Sequence, residues 1–231
     1  MRKMFLIAFA LAAFFGGCDS EDSNEAKRYE RQAALDKGDW QKVLSLTENC
    51  GGDQACRNDR AAAYVVKAGL SASKIITAIE DENDKSYFAQ LGKLFKADAD
   101  VSLQSAMDEY ALTIGNQALV CKSGSSANKW QKDACFNRSL AAISQSAVII
   151  VNVLDNYSCW SSTCSSIDNA DVDTLVNLIF VETDTLIKLL GIDSDTREEI
   201  EKIKSDINNS GSCYDTSSCA TAILSYINAN K

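Results

Sequence analysis

Apolar residues recur every three or four positions along most of this chain, and few stretches alternate apolar with polar side chains. That pattern predicts successive amphipathic helices rather than strands. The predicted helices cover residues 25–37, 40–49, 54–68, 71–82, 86–96, 101–120, 128–155, 170–191, 195–208 and 216–229. In 170–191, Val172, Leu175, Val176, Ile179, Leu186, Ile187 and Leu190 share one apolar stripe. In 195–208, Thr196 and Glu199 form a candidate capping box, and Ile200, Ile203 and Ile207 supply the buried face. Residues Leu140–Leu154 are apolar at 11 of 15 positions, but Ser144, Gln145, Ser146 and Asn152 interrupt them. At ~1.5 Å per residue this stretch falls short of a ~30 Å bilayer core, so it predicts a central core helix. The chain contains no proline, the strongest helix breaker, which fits an all-α fold.

The first residues break the amphipathic pattern. Arg2 and Lys3 precede an unbroken apolar run from Met4 to Phe15. A charged start followed by a short apolar core is the form of an export signal, and as a helix it is only ~18 Å long. Phe15-Gly16-Gly17-Cys18 follows, and it resembles the lipobox of bacterial membrane lipoproteins. The resemblance implies cleavage after residue 17 and a lipid-bearing Cys18 at the new N-terminus. More than one acyl chain there makes anchoring stable, at about 0.8 kcal/mol per buried CH₂. Asp19 resembles the inner-membrane retention signal of some bacteria. Residues 18–24 then read as the lipidated cysteine with an acidic, solvated tether.

Two segments further on carry a second resemblance. Ala34-Leu35-Asp36-Lys37-Gly38-Asp39-Trp40-Gln41-Lys42-Val43-Leu44 resembles the turn of a tetratricopeptide repeat (TPR), where a Gly-Asp-aromatic step joins two helices. Ala61-Ala62-Ala63-Tyr64-Val65-Val66-Lys67-Ala68-Gly69 resembles the first helix of a following repeat. The match is degenerate and covers about 45 residues. It implies TPR-like helical hairpins over 25–97, with a helical bundle over 98–231 packed against them.

Cysteine usage adds a framework. Beyond Cys18 the order is Cys50/Cys56, Cys121/Cys135, Cys159/Cys164 and Cys213/Cys219, with short gaps alternating with long ones. Eight cysteines allow 105 pairings, and the alternation favours four bridges between sequence neighbours, oxidised in an exported chain. Bridged Cα atoms lie within about 6.8 Å, whereas six residues of helix advance ~9 Å. Neither 50–56 nor 213–219 can then be continuous helix. The 159–164 pair should close a loop, and 121–135 should clip helix to helix across the loop at 123–126, a bridge worth ~3 kcal/mol.

Charge and chemistry narrow the function. The chain carries 23 basic and 32 acidic residues, a net −9. Losing Arg2 and Lys3 with the leader leaves a 214-residue chain with 21 basic residues and a net −11. Such a surface disfavours nucleic acid, which needs clustered Lys and Arg. Histidine is absent, which removes the commonest general base and neutral metal ligand, and no Cys-x-x-Cys occurs. Asp98, Asp100, Ser102 and Glu109 occupy four positions of a calcium-loop pattern, but Leu103 stands where that loop needs glycine, so the two aspartates read as helix caps. The acidic run Glu80-Asp81-Glu82-Asp84 reads as a solvated helix end. Asn137-Arg138-Ser139 and Asn156-Tyr157-Ser158 match the glycosylation triplet. The expectation is a non-enzymatic interaction or scaffold module of the cell envelope. It would be membrane-anchored through Cys18, with its folded part extracytoplasmic or periplasmic, an envelope protein as partner, and no metal or cofactor. The alternative is a carrier of an apolar ligand or lipid, with 140–154 and 170–191 lining a helical cavity.

Overall fold

The computed structural model describes residues 25–70, 94–96, 98–122, 125–160, 162–182, 195–210, 213 and 216–230. Among these the fold is all-α, with no strand. The predicted leader, Cys18, the tether, the predicted helix 71–82, most of 86–96, and the acidic run at 80–84 lie outside the described residues. So do the loop positions 123–124 and residues 183–194.

The N-terminal hairpin is α1 (Glu25–Asp36) followed by α2 (Trp40–Leu46). Gly38 has φ +72, the left-handed conformation that a side chain resists. Asp39 then caps α2 by accepting from the backbone N–H of Lys42. Helix α2 is three residues shorter than its predicted 40–49, because the Thr47 hydroxyl donates to the Val43 carbonyl and the chain turns into a disulfide loop. Asp53 caps α3 (Gln54–Lys67).

The centre of the molecule is α4 (Ala99–Ile114), which packs chiefly on α6 (Lys129–Asn156) and on α3. On α4 the residues Ala99, Leu103, Ala106, Tyr110 and Ile114 fall at helical spacing and are all buried. The predicted helix 101–120 is in fact two. Gly115, at φ +71, ends α4 with its N–H on the Ala111 carbonyl, and Asn116 caps the short α5 (Gln117–Val120). Helix α6 opens with a capping box in which Asn128 and Gln131 satisfy each other's backbone N–H groups. It is long and apolar enough to cross a membrane. Yet 72% of its most apolar window is buried, and Ala147, Val148, Ile149, Ile150, Val153 and Leu154 sit inside the main core. It is a core helix, as its interrupted hydrophobic pattern predicts.

Helix α7 (Asn169–Val176) widens into a π-helical segment over Asn177–Glu182. Beyond lie α8 (Asp195–Ser210) and α9 (Thr216–Asn230), packed against each other, with α7 also against α9. The side chains at 195–200, where the Thr196–Glu199 capping box was expected, fall outside the description. One buried cluster runs from Ala61 through α4 and α6 to Ile227, crossing the sequence boundary predicted at 97/98. A small second cluster, Ala34, Leu35, Val43 and Ala63, lies under the α1–α2 hairpin.

Candidate functional site

The four cysteine pairs bridge as their spacing predicts. Cys50–Cys56, Cys121–Cys135, Cys159–Cys164 and Cys213–Cys219 have Cα separations of 5.4, 5.5, 5.0 and 4.2 Å. Neither six-residue pair is continuous helix: Cys50 precedes the cap of α3, and Cys213 precedes α9. Cys121 follows α5 and clips it to α6 at Cys135. The loop closed by Cys159–Cys164 is seated on α9, where the Asn228 side chain accepts from the Cys164 N–H at 2.8 Å and donates to its carbonyl at 3.1 Å. These bridges fix helix ends, and no thiol among them is free to ligate or exchange.

Among the described residues, buried and half-buried charges gather in three constellations. The first fastens α1 to the body. Arg31 and Asp59 have side chains 5% and 7% exposed, and Nε donates to Oδ2 at 2.6 Å. Gln32 donates to the other carboxylate oxygen at 2.8 Å, and the Arg28 guanidinium lies 4.7 Å over the Trp130 ring on α6. Burial pushes the Asp59 carboxyl above its ordinary value, outweighing the hydrogen bond and charge of Arg31. Beside it Tyr110 is fully buried, and its hydroxyl has no hydrogen-bond partner among the described residues. Burial, with the charges of Asp59 and Asp133, drives that phenol far above its usual range. The Asp133 carboxyl is also raised by burial, against the pull of Lys129. Asp59 accepts on both oxygens and, through Arg31 and Gln32, ties α1 to α3.

The second constellation holds the first disulfide loop. Arg57 donates twice to the Gly51 carbonyl, at 3.1 and 2.6 Å, and Arg60 donates to the carbonyls of Thr47 and Glu48. Glu109 of α4 lies between them, 3.0 Å from Arg60 Nε (ion-paired without hydrogen-bond alignment) and 3.8 Å from Arg57. This accounts for Glu109 of the calcium-like pattern. Helix α4 carries it about 16 Å from Asp98, so the four residues of that pattern do not converge. Ser102 is buried, and Asp98 stands at the cap position without a capping hydrogen bond. In the third, Arg138 grips Glu182 at the end of the π-helical segment with bonds of 3.0 and 2.9 Å, and Ser139 donates to the Glu182 carbonyl. Asn137 and Ser139 of the first glycosylation triplet are buried here, whereas Asn156, Tyr157 and Ser158 of the second are exposed.

A fourth group, in which Trp40 and Lys67 are half-buried and Lys96 is exposed, is marked by no local sequence pattern. Trp40, first residue of α2, has the Lys67 ammonium 5.5 Å and the Lys96 ammonium 5.8 Å from its ring centroid. Lys67 also lies 6.0 Å from the Tyr64 ring. The two lysines are far apart in sequence. They meet because the Lys96 N–H donates to the Ala68 carbonyl at 3.0 Å, laying residues 94–96 along the end of α3. Gly69 permits that approach, since a Cβ there would stand 2.5 Å from the Leu94 carbonyl oxygen.

No group of three or more acidic or cysteine side chains that could hold a metal ion occurs among the described residues. The chain matches no protein-family model, no curated protein and no solved structure, so the helices and contacts above are the ground on which its function is argued.

Proposed function

We infer that this protein is a membrane-anchored lipoprotein of the cell envelope, and that its disulfide-braced helical domain is a non-enzymatic interaction module. The observation that carries the reading is the cysteine arithmetic: eight of nine cysteines are joined in four bridges, and the one left over, Cys18, stands in the lipobox-like sequence. An odd cysteine in an exported protein calls for a separate role, and lipidation supplies one. Four bridges also suit an oxidising, extracytoplasmic compartment.

The non-enzymatic half of the reading is supported by how the buried and half-buried acids are engaged. Asp59, Glu109 and Glu182 are each paired with arginine, and such pairs fix helices in place. The apolar side chains of α6 and α7 that a ligand carrier would need as cavity walls belong to one buried cluster, which favours the scaffold reading over the carrier.

The test is mass analysis of the protein from membranes of its native host, together with fractionation of Cys18→Ser. A lipid-modified Cys18 terminus, lost with membrane attachment in the variant, is the expected result. An intact Met1 terminus, or a variant that stays membrane-bound, overturns the anchoring. In-cell cross-linking that recovers no envelope protein overturns the interaction role.

A further inference from the structure

We propose that Lys67, Lys96 and Trp40 form a docking site for an acidic peptide segment of the partner protein. The inference rests on the interaction-module reading and names the chemistry of what is bound. Two ammonium groups lie within 6 Å of one indole centroid, so they are at most about 11 Å apart. Among the described residues neither has a carboxylate within ion-pair distance, although other lysines do: Lys42 pairs with Glu30, and Lys202 with Asp206. Two cations held this close repel each other across roughly one Debye length, and an anion placed between them relieves the repulsion. The aromatic rings hold the lysines in place. Cation–π contacts contribute a fraction of a kcal/mol each and leave the remaining N–H donors of each ammonium pointing away from the ring.

The surrounding charge selects the ligand's shape. The chain as a whole is −9, so a broad anionic surface such as a bilayer or a duplex would meet repulsion over most of its contact area. A single extended acidic segment touches only the local positive spot, and repulsion elsewhere discourages misplaced binding. Trp40 follows the C-terminal end of α1. Asp36 and Asp39 flank it in sequence, but the Asp39 carboxylate is engaged in capping α2.

The experiment measures fluorescence anisotropy of a short labelled polyglutamate peptide against the full mature protein in detergent at low salt. A polyglutamine peptide and phosphatidylglycerol vesicles serve as the comparison ligands. The expected result is saturable, salt-sensitive binding of polyglutamate, weakened roughly fivefold or more in Lys67→Gln/Lys96→Gln. A control with the same net charge, Lys122→Gln/Lys132→Gln, alters exposed lysines elsewhere and should bind as wild type. Equal weakening in both double variants means that net charge alone acts, and overturns the proposal. So does undiminished binding in the first variant, or binding of vesicles without binding of peptide. The assay reads peptide affinity whatever the state of Cys18, so a failure here is distinct from a failure of anchoring.

Discussion

The Arg31–Asp59 pair offers the sharpest test of how the N-terminal helix is held. Replacing Arg31 with Met keeps a long apolar stem but strands a carboxylate that is 7% exposed. Breaking a buried pair from one side costs ~3–5 kcal/mol. Gln32 still donates to Asp59 at 2.8 Å, and the Arg28 charge still acts on it. The lower end of that range, about 3 kcal/mol, is therefore expected, a shift of roughly a hundredfold in the folded-to-unfolded ratio. The cost depends on pH in a definite direction. The folded-state Asp59 carboxyl is already raised by burial, and losing the Arg31 hydrogen bond and charge raises it further. A group raised on folding contributes its stability below the unfolded value and loses it as pH climbs through the folded value. The variant's deficit is thus largest at neutral pH and shrinks as pH falls through the raised folded value, where Asp59 takes up a proton and needs no partner. Urea unfolding followed by circular dichroism, with disulfides intact, reads the effect. The double variant Arg31→Met/Asp59→Leu should recover most of the loss, because an apolar pair removes the stranded charge. A single variant whose midpoint equals wild type at pH 7, or whose deficit is the same at pH 7 and about pH 4, would refute the reasoning.

Tyr110→Phe removes a buried hydroxyl that has no partner among the described residues, so unfolding should show stability unchanged or higher by about 1 kcal/mol; a loss of that size would mean the hydroxyl is bonded after all. Gly69→Ala should cost roughly 2 kcal/mol or more in the same assay, since φ is +111 and the new Cβ would press on the Leu94 carbonyl, whereas wild-type stability would contradict that approach. Cys121→Ser/Cys135→Ser should lower the urea midpoint further than Cys50→Ser/Cys56→Ser, about 3 against about 2 kcal/mol, because the former closes a separation of 14 residues and the latter of 6. The reverse order would show that local packing outweighs loop entropy.

The periodic spacing of apolar residues places α3, α6, α8 and α9 to within about two residues, because apolar positions recur every three or four residues through each. The alternation of short and long gaps between cysteines points to the pairing, and the bridging distance then requires the chain to bend at 50–56 and 213–219. Where the reading missed, local chemistry had overridden periodicity. Gly115 and Asn116 split one predicted helix in two, and Thr47 with the Cys50–Cys56 loop shortened another. The Gly-Asn pair was a visible stop signal. The capping box of Asn128 and Gln131 is an equally local start signal for α6.

Other features are not written in any local window. Arg31 meets Asp59 across 28 positions, Arg138 meets Glu182 across 44, and Lys67 meets Lys96 over one tryptophan. Nothing in local spacing marks those charges as partners, because a side chain's neighbours across a helix interface depend on how the helices cross. Sequence periodicity decides which face of each helix leaves water. Only the packing of those faces decides which polar groups are carried in with them, and which two cations meet over one ring.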